Sequence, residues 1–349
     1  MSSTPERNFD PDAAAPADGG IFGLPHAPDE AQVVLIPVPF EATTSYRAGT
    51  AGGPAALLEA SKQVDLFDGE LGRIYRGGIA MLDLPAEVLR WNAEARVHAE
   101  PVIEAGGAGD DPDLQAEVAH VNALSSRVNA WVHTQADIWL ERGKVVGVIG
   151  GDHSVPLGNI AAHAERHPGM GVLHLDAHAD LRVAYEGFTY SHASIMYNVC
   201  RELPGVARVV QVGVRDFGER EARFIGESDG RVLTFFDADL QRRKLEGEPF
   251  ATLAREIVAQ LPQAVYLSWD IDGLDPGLCP HTGTPVPGGL SFAEAGYLLR
   301  ALVSSGRRIV GFDLCEVAPG PEGDDWDANV AARLLYKMIG WTLRSQGRL

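Results

Sequence analysis

Eight short apolar runs rich in β-branched residues constrain this chain most: 32–39, 77–84, 144–150, 171–176, 207–214, 231–236, 264–270 and 308–314. Most are continuously apolar rather than alternating, the pattern of strands buried on both faces. Helical patterns over 118–142, 155–166, 193–203, 219–228, 248–260, 291–304 and 327–345 lie between most of them. Ser291 and Glu294 form a capping box at the head of one helix. This alternation predicts an α/β protein, a parallel sheet with helices on both faces. With no internal repeat and no Pro/Ser linker, a single domain over 31–349 is expected, preceded by a mobile tail over 1–30. Residues 94–117, with Glu104-Ala-Gly-Gly-Ala-Gly-Asp-Asp-Pro112, read as an acidic, Gly-rich surface excursion.

Metal-type ligands stand at the ends of three of these runs. Asp176, His178 and Asp180 alternate after Gly171-Val-Leu-His-Leu175, so an extended chain points all three to one side. Asp270 and Asp272 repeat the pattern after Ala264-Val-Tyr-Leu-Ser-Trp269, and Gly150-Gly-Asp-His153-Ser supplies another imidazole. Open α/β sheets bind ligands beyond the carboxyl ends of their strands, which is where these clusters fall. Singly, each Asp or His reads as a cap or a core residue; grouped at apolar strand ends, uncompensated carboxylates would repel and lose solvation. The set therefore predicts a binuclear metal site. Mixed carboxylate and imidazole donors without cysteine favour Mn²⁺, with Co²⁺, Ni²⁺, Fe²⁺ or Zn²⁺ as alternatives. Two such ions about 3.5–4 Å apart would share a bridging water of lowered pKa. His174, on the same strand face but deeper, reads as a core or supporting residue; His281 could rim the pocket.

Bulk properties narrow the partners. A formal charge of −19 over 349 residues argues against nucleic acid or an anionic membrane. No apolar run reaches the ~18 residues of a membrane span. Cys200, Cys279 and Cys315 are odd in number and widely spaced, which suits a reducing cytoplasm and disfavours disulfides or a thiolate metal site.

With these motifs in place, the chain resembles the ureohydrolase (arginase/agmatinase) family over about residues 32–345. The resemblance rests on Gly-Gly-Asp-His-Ser154, Asp-Ala-His-Ala-Asp180 and Ser-Trp-Asp-Ile-Asp-Gly-Leu-Asp-Pro276, with Gly49-Thr-Ala-Gly-Gly-Pro54 as an early Gly-Pro segment. It implies a three-layer α/β/α fold with an eight-stranded parallel sheet, a homo-trimer or homo-hexamer, and two Mn²⁺ per chain. His153, Asp176, Asp180 and Asp270 would hold one ion and Asp176, His178, Asp270 and Asp272 the other. Hydrolysis of a guanidino group to urea and an amine would follow. By the same analogy Asp180 relays a proton, His192 is a loop acid/base and Glu316 pairs with the guanidinium, a planar donor suited to a carboxylate. Asp152, Ser268 and Asp275 would orient ligands or turns.

The substrate is less determined. Arg215-Asp216-Phe217-Gly218 lacks the second Asp that the resemblance expects of an arginase, and the loop 181–190 lacks the arginase-like polar positions. Both favour agmatine, with Glu186 as a contact for its amine. Arg182, two residues beyond Asp180, points instead to an acid-tailed substrate such as guanidinobutyrate or formiminoglutamate. A deacetylase would need a tandem His-His pair, which is absent, and a non-catalytic metal-binding scaffold would be expected to have lost ligands.

Overall fold

The computed structural model describes residues 9–349. Its eight strands are β1 (Val33–Val38), β2 (Ile79–Met81), β3 (Val145–Gly150), β4 (Met170–Leu175), β5 (Val206–Val212), β6 (Val232–Phe235), β7 (Ala264–Asp270) and β8 (Arg308–Cys315). Each falls within, or within one residue of, an apolar run of the sequence. All pair in parallel, in the order β2-β1-β3-β8-β7-β4-β5-β6. Ten α-helices accompany them: α1 (Gly53–Ser61), α2 (Ala86–Glu104), α3 (Pro112–Glu141), α4 (Leu157–Arg166), α5 (Ile195–Glu202), α6 (Glu219–Glu227), α7 (Asp237–Leu245), α8 (Phe250–Ala259), α9 (Phe292–Ser304) and α10 (Trp326–Ser345).

Alternation along each strand divides the core in two. Val33 and Leu35 join the cluster that contains Leu57 of α1, Leu253 of α8, Leu298 of α9 and Leu334 of α10. Val34, Ile36 and Val38 join Val88 of α2 and Val128 of α3 on the opposite face. Leu173 and Leu175 of β4 likewise face the first cluster, while Val172 packs with Ile160 of α4 and Ile195 of α5. A sheet apolar on both faces needs a helical layer on each, and the three-layer architecture follows.

The strand order reverses in the middle. After β3 the chain skips to β4 and runs outward to β6, then returns to insert β7 and β8 between them. The carboxyl ends of β3, β8, β7 and β4 therefore meet at the switch in strand order, where open sheets form their ligand crevice.

Two sequence expectations need correction. The stretch 94–117 is mostly helix: α2 runs to Glu104 and α3 begins at Pro112, leaving only 105–111 as the turn. Gly106, Gly107 and Gly109 all have positive φ there, and Asp111 caps α3 by accepting from the amides of Asp113 and Leu114. An Asp-Pro pair at a helix start explains the boundary that acidic composition concealed. The expected tail over 1–30 is also too long. Ile21, Phe22 and Leu24 are buried in the core, and the Phe22 amide donates to Ser61 Oγ at 2.8 Å. Residues 1–8 lie outside the described residues.

Candidate metal centre

Asp176 and Asp270 sit where β4 and β7 end; beyond Asp176 the chain stays irregular, while beyond Asp270 it turns into a 3-10 helix over Ile271–Gly273 that presents Asp272. At β4 the Asp176 side chain accepts from the His178 amide at 2.6 Å; at β7 that of Asp270 accepts from the Asp272 amide at 2.8 Å. Asp272 Oδ1 in turn accepts from the Ala177 amide at 3.0 Å, tying the two strand ends together. Gly273 is essential to this approach, since a Cβ there would lie 2.8 Å from the Asp176 nitrogen. Asp180 takes φ +53°, a left-handed turn that Asp tolerates better than most residues, and its carbonyl accepts from the amides of Met196 and Tyr197.

The six sequence-assigned ligands converge. His153 Nδ1 lies 3.0 Å from Asp176 Oδ2 and 3.5 Å from both Asp180 Oδ2 and Asp270 Oδ2. His178 Nδ1 lies 3.4 Å from Asp176 Oδ1 and 3.1 Å from Asp272 Oδ2. Asp176 thus turns one oxygen to each imidazole, the disposition expected of a bridging carboxylate. All four carboxylates and His153 are buried, with His178 partly exposed.

Supporting contacts hold this set. His153 Nε2 meets Ser268 Oγ at 2.9 Å, and Ser268 donates on to Asp313. His174 Nε2 lies 2.9 Å from Asp176 Oδ2, while Gln211 Nε2 donates to His174 Nδ1 at 3.0 Å. The amide donor leaves Nδ1 as acceptor, so the His174 proton sits on Nε2 and points at Asp176. Cys315, set aside by sequence reasoning, comes close to His153 and Asp313, but burial raises its thiol well above the ordinary value. Its Sγ donates to Asp313 Oδ1 at 3.8 Å.

The electrostatics fit a pair of divalent cations. Burial, reinforced by Asp176, pushes Asp180 up to about 8, and burial together with Asp272 and Asp176 raises Asp270 well above its usual range. Asp180 Oδ2 is buried without a hydrogen-bond partner. Burial also opposes ionisation of Asp176, but His174, His153 and His178 outweigh it and hold this carboxyl far below its usual value. A cluster with this excess of buried carboxylate oxygen is what dications compensate.

Over the ligands opens a cavity of about 190 Å³ lined by His178, Asp180, Arg182, Tyr185, His192, Asp216 and Glu221, among others. A larger space of about 650 Å³ lies between residues 9–26 and 62–66, away from the ligands. Glu316 stands just beyond β8 with φ +62°; its Oε1 accepts from the His153 amide at 2.9 Å, and Gly283 leaves room beside Oε2. His192 is half-buried, with Nδ1 3.1 Å from Thr43 Oγ1. Burial, with the charge on His178 second, lowers its pKa to about 4. Arg182 lies over the Tyr185 ring at 4.8 Å, with Nε 3.7 Å from Glu221 Oε2. Glu186 is not in the lining; its backbone packs against Gly107 in the α2–α3 turn. His281 is paired with Asp327 at 2.9 Å, also outside the lining.

Sequence reasoning missed Thr43 and Glu221. Thr43 lies in Ala42-Thr-Thr-Ser45, a polar run after the first strand, so the strand-end rule that found the ligands also reaches it. Glu221 carried no such signal: it is a buried helix residue that caps Gly218 and accepts from the Leu181 amide at 3.0 Å.

Comparison with known proteins agrees with this fold. The arginase family model matches residues 31–340. The N(1)-aminopropylagmatine ureohydrolase of Thermus thermophilus is 36% identical over 92% of this chain and 94% of its own length. The agmatinase of Cronobacter sakazakii is 31% identical over 89% of this chain and 87% of its own. Among solved structures, the agmatine ureohydrolase of Thermoplasma volcanium superposes with a TM-score of 0.72 at 23% identity, covering 94% of this chain and 95% of that one. Fold and site together define a three-layer α/β enzyme with a buried His/Asp cluster able to hold metal. The chain belongs to the arginase family.

Proposed function

We propose that this protein hydrolyses the guanidino group of an amine-tailed substrate, agmatine or agmatine extended by an aminopropyl group, to urea and the corresponding amine. Asp176 carries the reading of the chemistry, because one carboxylate facing two imidazoles suits two shared ions. His153, Asp176, Asp180 and Asp270 would hold one and Asp176, His178, Asp270 and Asp272 the other, with Mn²⁺ suited to this donor set. Bound there, the ions would supply water of lowered pKa as nucleophile near neutral pH.

The chain's own residues do the rest. Glu316 Oε1 is taken by the His153 amide, so Oε2, beside Gly283, is free to accept guanidinium N–H groups. His192 is neutral at pH 7 with Nδ1 engaged by Thr43, so proton exchange with the departing amine falls to Nε2. For the tail, Asp216 and Glu221 line the cavity with negative charge, and Glu221 already holds Arg182 beside it. The names of the relatives at 31–36% identity support an amine tail, those at 36% the aminopropyl form.

Urea release from the Mn²⁺-loaded protein, with N(1)-aminopropylagmatine, agmatine, arginine and guanidinobutyrate side by side and formamide release from formiminoglutamate followed in parallel, tests this. The expected result is the highest kcat/KM for an amine-tailed compound. Arg182 in the lining favours a second reading, an acid-tailed substrate; turnover of guanidinobutyrate or formiminoglutamate alone would establish that one instead.

A further inference from the structure

The loop 181–190 forms one wall of the cavity through Arg182 and Tyr185. Its first end is fixed by the Asp180 carbonyl and by the Arg182 amide, which donates to the Ala193 carbonyl at 3.1 Å. Beyond Arg182 it leaves the protein: Val183 is 62% exposed. It then returns through a tight hairpin in which Tyr185 and Phe188 exchange backbone hydrogen bonds. Glu186 and Gly187, the two turn residues, both have positive φ, 55° and 96°. Paired left-handed residues fit the twist of a two-residue hairpin, but non-glycine residues enter that region at a cost. Something outside the loop must hold it.

Asn122 of α3 is placed to do so. Its Oδ1 accepts from the Thr189 amide at 2.8 Å and its Nδ2 donates to the Gly187 carbonyl at 3.3 Å. One side chain thereby grips the second turn residue and the returning strand beyond it. Asn198 adds a single bond to the Thr189 carbonyl at 2.9 Å, Val118 packs against Gly187, and Phe188 is buried among the side chains of α2 and α3. None of these residues lines the cavity.

We infer that Asn122 is a positioning residue for substrate selection, fixing the Arg182–Tyr185 wall from the outer helix layer. The role in selection rests on the function proposed above; the clamp itself does not. A well-placed wall acts on substrate binding, and small misplacements at such walls have large effects on orientation. Loosening it should raise KM and blur discrimination between tails, while the ligands at the strand ends stay where they are.

The test compares Asn122→Leu, which removes both bonds, with Asn122→Asp, which keeps the acceptor for the Thr189 amide. Metal content, KM for agmatine, the ratio of kcat/KM between agmatine and guanidinobutyrate, and hydrogen exchange across 183–190 are read on the full Mn²⁺-loaded chain. In Asn122→Leu, KM should rise about tenfold, the ratio should move about tenfold toward one, and loop exchange should quicken, at unchanged metal content. Asn122→Asp should recover part of each. Should Asn122→Leu not fold, Asn122→Ser replaces it. Unaltered loop exchange, unaltered KM, or metal loss in parallel with KM would overturn the inference. If the wild type releases urea from no guanidine, the proposed function fails, and loop exchange still judges the clamp.

Discussion

His174 Nε2 lies 2.9 Å from Asp176 Oδ2, behind the carboxylate oxygen that also faces His153. A donor here fixes the rotation of the carboxylate proposed to bridge the ions and supports its negative charge. Replacing His174 by Ala should lower metal affinity about 10–100-fold, the usual effect of losing such a partner. Competition with a chelator measures this, and KM for substrate on the saturated enzyme should be unchanged. Equal metal affinity in the variant would show that Asp176 needs no such support.

Thr43 and His192 are brought together by a loop that α2 pins in place. Arg96 donates to the Thr44 carbonyl at 2.7 Å and Asn92 accepts from the Glu41 amide at 2.8 Å. Thr43→Val removes the hydroxyl from His192 Nδ1 while keeping shape. A positioned acid/base contributes about 10²–10⁴-fold to rate, so partial loss of its orientation should lower kcat about tenfold with little change in KM. Steady-state kinetics decide, and a change confined to KM would remove His192 from the proton path.

Arg182 stands beside Glu221, where a substrate amine would be attracted. Its positive charge competes with that amine for the same carboxylate. Arg182→Gln should therefore lower KM for agmatine about two- to tenfold, in line with one exposed charge contact. A rise in KM for agmatine would give Arg182 a direct attractive role.

His163 of α4 makes a pH prediction independent of the metal centre. It is fully buried, donates from Nδ1 to the Asn159 carbonyl at 2.8 Å, and fits the space left by Gly311. Burial lowers its pKa from 6.5 to about 4. A depressed pKa means that the unfolded chain binds the proton first. The resulting stability is present above pH 6.5 and is lost as pH falls toward 4. The shift corresponds to about 3 kcal/mol across that window. Denaturant unfolding at pH 7 and 5 should show a smaller difference for His163→Leu than for the wild type; equal differences would contradict the assignment.

The strands and the six residues of the His/Asp cluster were legible because both follow from local pattern. Apolar runs such as 144–150 cannot be exposed, and carboxylates such as Asp176 at their ends need compensation. Residues whose contribution depends on a distant partner were less legible. Thr43 meets His192 across 149 positions, and Asn122 grips a loop some 65 positions away. The misread segments have local causes too. Gly106, Gly107 and Gly109 obscured two long helices, and the polar approach to Ile21 hid a short buried stretch. Glu186 was chosen for its charge alone, and the left-handed turn at Glu186-Gly187 carries it away from the cavity.

Metal stoichiometry tests the central claim most directly. Elemental analysis of the Mn²⁺-loaded wild type and of Asp176→Asn, at matched free metal, should give two ions per chain for the first. A carboxamide cannot present two anionic oxygens, so the variant should hold fewer than one and release no urea. Wild type holding a single ion, or Asp176→Asn retaining both with activity, would contradict a centre bridged by Asp176.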